Sequence, residues 1–263
     1  MIARSVRTQT NKRWRPGRWL VLAAVILVVW FWPHRKAKPV VENNTVDPGS
    51  FIVFLTPGDG GDELGGVYPQ NGKVQIEGKD INLAIAQATK RALEKEGIGV
   101  KLARADDQFV DAVERKQQAT QAGAAVALAI YTDSYYNDPL YTGFTIIDYK
   151  NVDWPDHYKQ RAALAEELDK ALLDRLQLEQ TASRGVFVRN SAFVIDGPTI
   201  TLLVGFISND AERARLVDEA YQWKIANAIT DALVVYRDTL RWQKNPPNRL
   251  ESEKTTDALH VPF

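Results

Sequence analysis

Short apolar runs alternate with longer amphipathic segments through most of this 263-residue chain. The apolar runs have the length and β-branched content of buried strands, whereas the longer segments place apolar residues at helical spacing. We predict strands at residues 51–55, 100–105, 124–131, 143–149 and 199–206. We predict helices at residues 81–99, 107–123 and 156–176, and two more between residues 210 and 242. This alternation predicts a single three-layer α/β domain with a largely parallel central sheet and helices on both faces.

The first fifty residues follow a different pattern. Residues 1–18 carry six basic side chains and no acidic one, and an uncharged apolar run follows. We therefore expect a basic cytoplasmic N-terminus at 1–18, a single transmembrane anchor at 19–33 and a linker at 34–50. Tryptophans at both ends of the run and the lack of a small-residue cleavage site favour an anchor, while a cleaved signal peptide stays open because the run is short.

Composition narrows the chemistry that the domain predicted at residues 51–240 can perform. The 33 basic residues balance the 33 acidic residues, so the charge predicts no nucleic-acid partner. The absence of cysteine excludes disulfides and thiolate metal sites. The three histidines, His34, His157 and His260, lie in the membrane flank, at a helix start and in the polar segment 241–263, which we predict to be a disordered tail.

Three ordered segments carry a family resemblance. The first is "FIVFLTPGDGGDELGG", which comprises the first strand and the loop after it. The second begins "GKDINLAIAQATKRALEKEGIG" and ends "AIYTDS", and the third is "PTITLLVGFISNDAERARL". Together they resemble the zinc-dependent N-acetylmuramoyl-L-alanine amidases over about residues 50–238. The resemblance implies that family's fold and its cell-wall setting. In the family, two histidines and a glutamate hold zinc with a bound water, and another glutamate acts as general base.

The resemblance also places the family's four functional positions on this chain. Asp59 and Tyr131 stand where the family has histidines, Gly78 where it has the ligand glutamate, and Leu203 where it has the general base. Glu77 is one residue from the glutamate position, and a shift of the loop could bring it in. Leucine cannot accept a proton and a neutral tyrosine is a poor zinc ligand, so we expect no bound zinc, no other cofactor and no ordinary amidase activity.

The loops around these positions leave alternatives open. A retained binding cleft would use the following side chains: Asp59, Glu77, Tyr131, Asp133 and Tyr135. The neighbouring Tyr136 and Tyr141 would either join that cleft or, with the other tyrosines, pack on the edge of the domain. A site for Ca²⁺ or Mg²⁺ would draw on these carboxylates: Asp59, Asp62, Glu63, Glu77, Asp80 and Asp133.

The sequence therefore predicts a membrane-anchored, catalytically inactive amidase-like protein of the bacterial cell envelope. We expect it to bind peptidoglycan or a cell-wall or division protein. Its expected location is the inner (cytoplasmic) membrane, crossed once, with the N-terminus inside and the folded domain outside. The alternatives are an active peptidoglycan amidase with an atypical metal site and an envelope scaffold without glycan affinity.

Overall fold

The computed structural model describes residues 51–70, 73–136, 138, 140–150, 158–179, 182–191 and 194–244. The anchor predicted at residues 19–33, the linker and the tail beyond Lys244 lie outside these residues. Within the described part of the chain, none of the helices has both the length and the apolar content needed to cross a membrane.

In the described part of the chain, six strands form a central sheet, and two more form a separate hairpin. In chain order the strands are β1 (Ile52–Pro57), β2 (Val67–Gln70), β3 (Lys73–Glu77), β4 (Gly99–Leu102), β5 (Val126–Asp133), β6 (Phe144–Lys150), β7 (Ser183–Asn190) and β8 (Thr199–Phe206). The sheet order is β4-β1-β5-β8-β6-β7, and β2 pairs with β3 in the hairpin. Strands β4, β1, β5 and β8 are parallel, and β6 joins β8 antiparallel. The predicted α/β domain with a largely parallel central sheet is confirmed.

Among the residues that the structure describes, five helices connect and cover the strands. They are α1 (Gly78–Lys95), α2 (Ala112–Gln121), α3 (Tyr158–Leu176), α4 (Asp210–Leu216) and α5 (Glu219–Lys244). Asp111 caps α2 by accepting a hydrogen bond from the backbone N–H of Glu114 at 2.9 Å. The helix start predicted at residue 107 is wrong, because the carboxylate of Asp107 instead accepts hydrogen bonds from Gly61 N and Lys79 Nζ. That contact keeps the segment before Asp111 in a loop.

The main core lies on one face of the sheet. Successive strand residues point to opposite faces, so Val53 and Leu55 of β1 join the main core while Phe54 points away from it. The main core also contains apolar residues of α1, α3 and α5, such as Ile85, Leu168 and Ile229. On the opposite face, Phe54 packs in a small cluster with Ala103, Ala119 of α2 and Ile195. Among the described residues, the two faces are therefore unequally covered, and the short helix α2 packs on the second face.

Two parts of the fold were not predicted from the sequence pattern. The β2–β3 hairpin is short and contains Pro69, so neither strand has a clear alternating pattern, although Asn71-Gly72 between them is a hairpin-turn signal. Strand β7 lies at the edge of the sheet, where Val186 and Phe187 are 39% and 41% exposed. Edge strands need not be apolar throughout, which hides them from a search for buried runs.

Candidate functional site

Three of the four positions assigned by the resemblance lie at one edge of the sheet. Asp59 follows the end of β1, and Tyr131 and Leu203 lie near the ends of β5 and β8. The three strands are parallel, so their carboxyl ends meet at the same edge. Tyr131 and Leu203 are directly paired in register. The fourth position, Gly78, is the first residue of α1.

The loop that carries Asp59 has an unusual backbone. Asp59 adopts the left-handed conformation with φ 59°, and Gly60 and Gly61 also have positive φ. A non-glycine residue in this region costs about 1 kcal/mol or more unless its surroundings hold it there. The surroundings here include the buried Arg104, whose guanidinium donates to the carbonyls of Pro57 at 3.2 Å and Gly58 at 2.8 Å.

A second buried cation holds the far side of the same loop. The ammonium of Lys79 donates to the carbonyl of Gly61 and to Asp107 Oδ2, both at 2.8 Å, and lies 3.1 Å from Glu77 Oε2. Asp107 in turn accepts the backbone N–H of Gly61 at 2.8 Å. These bonds raise the pKa of Lys79 and lower the pKa of Asp107, the Lys79–Asp107 hydrogen bond being the largest cause of both. The loop is thus fixed by charges of the protein itself.

Asn82 of α1 ties the loop to the neighbouring strand. Its side chain is fully buried, and its amide donates to Gly58 O at 3.3 Å and to Asp59 Oδ2 at 3.1 Å. Its carbonyl accepts the backbone N–H of Thr132 at 2.6 Å. One side chain therefore sets the spacing between Asp59 and the end of β5.

The Asp59 carboxyl group is half-buried and lies among opposing charges. Burial is the largest influence and raises its pKa above the ordinary value of 3.8. The guanidinium groups of Arg115 and Arg104 act in the other direction, while Glu63 raises the pKa further and the Asn82 hydrogen bond lowers it. Of the neighbouring charges, Arg115 has the largest effect on this pKa and lowers it.

Tyr131 is held between a glycine and Arg115. A Cβ atom at Gly58 would overlap the ring of Tyr131, so only glycine allows this close approach. At the other end of the ring, Arg115 Nη1 donates to the phenolic oxygen at 2.5 Å. Arg115 belongs to α2 and lies 5.9 Å from the ring centre of Phe109. The side chain at the second histidine position is therefore rigid and engaged with a cation.

Gly78 has no room for the glutamate that the family carries at this position. A Cβ atom there would overlap the Oγ1 of Thr132 and lie 3.0 Å from the backbone nitrogen of Gly66. The N–H of Gly78 also donates to the carbonyl of Gly66 at 2.7 Å, which fixes this close approach. The neighbouring Glu77 does not fill the position freely, because its carboxylate forms the ion pair with Lys79.

The tyrosines of the β5–β6 loop divide between packing and exposure. The hydroxyl of Tyr136 bonds to the backbone of Val67, and Tyr141 packs against Phe206 and Arg184. Tyr135 is 44% exposed and lies 4.9 Å from the ring centre of Tyr141. Packing on the domain edge is therefore the role of Tyr141, while Tyr135 and Tyr136 remain accessible; Tyr136 is 56% exposed and is tied to Val67 through its hydroxyl.

Asp133 lies at the end of β5 and accepts the backbone N–H of Ser134 at 2.7 Å. Burial is the largest influence on its pKa and raises it above 3.8, while the Ser134 bond and Arg184 act against burial. Asp133 therefore supplies a half-buried carboxyl group at the end of β5, next to the loop that carries Tyr135.

The side chains at the four positions do not fit zinc. They offer one carboxylate, no side chain, a phenol bonded to a guanidinium, and an aliphatic chain, whereas zinc sites combine three or four His, Cys or carboxylate ligands. No group of three His, Asp or Glu side chains that could hold a metal occurs among the described residues. All six carboxylates of the Ca²⁺ or Mg²⁺ alternative are described, and the structure does not gather them into such a group.

Four residues that organise this site were not singled out from the sequence: Lys79, Asn82, Arg104 and Arg115. All four lie inside the second segment that carries the resemblance. That location was the one feature of the sequence that pointed to them. Their polar heads are fixed by long-range contacts, and spacing along the chain does not reveal those contacts.

Comparisons with known proteins agree with this architecture. The family model described as N-acetylmuramoyl-L-alanine amidase matches residues 53–234. The "Probable cell wall amidase LytH" of Staphylococcus aureus is 29% identical over 212 residues, which cover 79% of this chain and 66% of LytH.

Two solved structures share the fold. The catalytic domain of CwlV, an N-acetylmuramoyl-L-alanine amidase of Bacillus (Paenibacillus) polymyxa, superimposes with a TM-score of 0.61 at 26% identity, covering 72% of this chain and 98% of that one. The CwlD amidase of Clostridioides difficile, solved in complex with the GerS lipoprotein, gives a TM-score of 0.59 at 25% identity, covering 72% of this chain and 100% of that one. The protein belongs to the N-acetylmuramoyl-L-alanine amidase family.

Proposed function

We propose that this protein acts at the bacterial cell envelope by binding peptidoglycan without hydrolysing it. The observation that carries the proposal is the direct pairing of Tyr131 with Leu203, the positions that the resemblance assigns to a zinc ligand and to the general base. Tyr131 is already bonded to Arg115, and Leu203 has no atom that can accept a proton. Loss of a general base alone lowers a rate by about two to four orders of magnitude.

Binding is favoured because the cleft keeps a fixed form that no metal is needed to maintain. Buried Arg104, Lys79 and Asn82 hold the loop that presents Asp59. The exposed ring of Tyr135 lies on the loop that follows β5, near the half-buried Asp133. Aromatic faces beside carboxylates suit the stacking and hydrogen bonding of sugars and stem peptides.

The cell-wall setting is favoured by the relatives, since LytH and CwlD are both named as amidases.

We extend this proposal to a single membrane anchor at residues 19–33, with the N-terminus inside and the domain outside. The excess of basic residues before the apolar run supports that orientation. Fusion of alkaline phosphatase after residue 244 tests it: high enzyme activity supports an outward domain, and inactive fusion protein contradicts it.

A second candidate function is an envelope scaffold without glycan affinity. It is favoured by CwlD, which has been solved in complex with a lipoprotein. The exposed Phe109 and Val113, both 52% exposed near the start of α2, offer apolar contacts for such a partner. A scaffold would leave purified peptidoglycan unbound.

The test uses the full-length protein in detergent, purified without chelator and then challenged with zinc. Zinc content is measured by mass spectrometry, and muropeptide release from sacculi is measured with the catalytic domain of CwlV as a positive control. Near-zero zinc, no release and co-sedimentation with sacculi are expected. One tightly bound zinc per chain with muropeptide release would establish the active alternative, and protein left in the supernatant would favour the scaffold.

A further inference from the structure

Strand β7 leaves one of its two edges unpaired. It lies last in the sheet order, and no strand among the described residues pairs with its outer side. Its apolar residues Val186 and Phe187 are 39% and 41% exposed. Proteins commonly block such an edge with proline or lysine, because it is a template for pairing with another chain. Residues 183–190 contain neither, so the edge is open to a further strand.

The hydrogen bonds to β6 decide which backbone groups of β7 face outward. The N–H of Ser191 donates to the carbonyl of Lys150 at 3.2 Å, so Ser191 faces β6. Successive residues of a strand direct their N–H and C=O groups to opposite sides, so Val186 and Val188 face the open edge. In agreement, the carbonyl of Val188 accepts a hydrogen bond from a side chain, Arg189 Nη1, at 3.1 Å. The open edge therefore offers backbone donors and acceptors beside exposed apolar side chains.

The start of β7 is irregular and the rest is regular. The register against β6 shifts between Phe144 and Ile146, and Gly185, at this bulge, has φ 89°. From Val186 onward the pairing with β6 is continuous. A Cβ atom at Gly185 would meet nothing within 4 Å. A further strand can therefore pair along residues 186–190 and finds free space beside Gly185.

A second copy of this chain fits the edge in one antiparallel register. Two outward-facing residues must lie opposite each other to exchange both backbone hydrogen bonds. Pairing Val186 with Val188 of the second copy meets this condition twice and centres the interface on Phe187. Phe187 then lies opposite Phe187 of the second copy, in a non-hydrogen-bonded pair. Side chains are closest in such pairs, and aromatic pairs across strands stabilise a sheet.

The same register keeps the positive charges apart. Arg189 lies opposite Gly185 of the second copy, where the free space accommodates its long side chain. The two Arg189 residues are then about 13 Å apart along the strands, beyond the Debye length of about 8 Å at physiological ionic strength. A shift of two residues in one direction would reduce this distance to about 7 Å. The opposite shift would place Phe187 against Gly185 and lose the aromatic pair.

We propose that the protein forms a symmetric dimer in which β7 pairs antiparallel with β7 of a second copy, centred on Phe187. The two central sheets become one continuous sheet across a two-fold axis. A two-fold interface uses the same surface on both copies, so it leaves neither β7 edge open. The dimer does not depend on the proposed peptidoglycan binding.

Cysteine cross-linking of the full-length protein in detergent tests the register. The chain has no cysteine, so Phe187→Cys introduces a single thiol. The paired Cα atoms would lie about 4.5 Å apart, within the range that a disulfide bridges. Mild oxidation should convert Phe187→Cys to a disulfide-linked dimer on a non-reducing gel. Val235→Cys, at a 45% exposed position of α5, is the matched control and should stay largely monomeric.

Sedimentation velocity tests the association without a cross-link. The unmodified protein should show a concentration-dependent dimer, whereas Val188→Pro should be monomeric at the same concentrations. The proline removes an N–H that faces the open edge rather than β6, and sheets accept proline at such positions. Thermal melting checks that Val188→Pro is folded. Val186→Lys, which adds a charge to the edge, serves as the second variant if it is not.

The outcomes separate the dimer from other occupants of the edge. A dimer that persists in both folded edge variants would overturn the proposal, because association would then use another surface. Cross-linking of Val188→Cys in place of Phe187→Cys would overturn the register. A Phe187→Cys protein that does not cross-link would overturn the dimer, and a thiol that also resists maleimide would show that another segment of the chain covers β7. Sacculus co-sedimentation of a monomeric edge variant would leave the proposed function intact.

Discussion

The side-chain amide of Asn82 donates a hydrogen bond of 3.1 Å to the carboxylate of Asp59. The same side chain bonds to Gly58 O and Thr132 N, so the position of the carboxylate depends on a buried amide. The stability of the cleft should therefore respond to these polar groups in ways that simple thermal unfolding can measure.

Replacing Asp59 by Asn should stabilise the protein at neutral pH. Burial raises the pKa of Asp59 above 3.8, so folding disfavours its charged form. The Asp59 carboxyl group contributes favourably to the stability of the folded protein below pH 3.8, where it is protonated. That contribution is lost as pH rises through the folded-state pKa. Asn keeps an acceptor for Asn82 and tolerates the left-handed backbone.

The melting temperature of Asp59→Asn, measured from pH 3 to pH 8, checks this expectation. The gain over the unmodified protein should grow as pH rises above 3.8 and vanish below it. A gain that is equal at all pH values, or a loss at pH 7, would contradict it.

Asn82→Ala should destabilise the domain. The change leaves the buried Thr132 N–H without its acceptor, and an unsatisfied buried group costs about 1–3 kcal/mol, whereas the Gly58 carbonyl keeps its bond from Arg104. We expect a loss of about 1–3 kcal/mol in the free energy of unfolding, measured by urea denaturation. Gln87→Ala, on the same helix with an exposed hydrogen bond to Ala105, is the control and should change stability by about 0.5 kcal/mol or less.

Lys79→Met should lower the melting temperature. It removes the cation that holds the carbonyl of Gly61 and leaves the carboxylates of Glu77 and Asp107 close together without a counter-charge. Asp107 has a lowered pKa, so its favourable contribution to the stability of the folded protein is present above pH 3.8 and is lost as pH falls. Because the pKa of Lys79 is raised, its contribution to the stability of the folded protein is present up to pH 10.5 and is lost as pH rises through the folded-state pKa.

The loss in Lys79→Met should thus be largest between these two pH values and smaller in acid. Lys90→Met removes an exposed pair with Glu94 and serves as the matched control, with little change expected. An equal change in melting temperature in both variants would show that the buried Lys79 contacts contribute no more to stability than a surface ion pair does.

Gly78→Ala should destabilise the domain by about 1–3 kcal/mol, the usual range for overpacking. The added methyl group would overlap Thr132 Oγ1, which is buried and has no hydrogen-bond partner. In the double variant Gly78→Ala with Thr132→Ala, the loss in the free energy of unfolding should be smaller than the sum of the losses in the two single variants. Additive losses in the double-mutant cycle would show that the backbone of Gly66, rather than Thr132, limits the space.

The sequence pattern predicted the main strands and helices of the domain. Strand β8 was predicted at residues 199–206 and is observed as Thr199–Phe206, because a fully apolar run between polar loops has few alternative registers. The edge strand β7 was missed because Val186 and Phe187 are partly exposed there and the run carries arginines. Burial, which the pattern detects, is weakest at the edge of a sheet.

The candidate site was predictable only in its strand-end positions. The resemblance placed Asp59, Tyr131 and Leu203, and the parallel strands bring their positions to one edge of the sheet. It could not show that Arg115 bonds to Tyr131 or that Gly78 is crowded by Thr132. Those facts depend on side-chain directions set by packing across elements far apart in the chain.

The sequence by itself determined the order of the elements, the apolar strands and the residue types at the four positions, because these follow from local composition and periodicity. Only the tertiary structure decided which charges surround Asp59. Glu63, Arg104 and Arg115 lie far apart in the chain, and their charges act on the Asp59 carboxyl group because the sheet and helices bring them together. Interactions between distant residues depend on three-dimensional distance and burial, and neither quantity can be read along the chain.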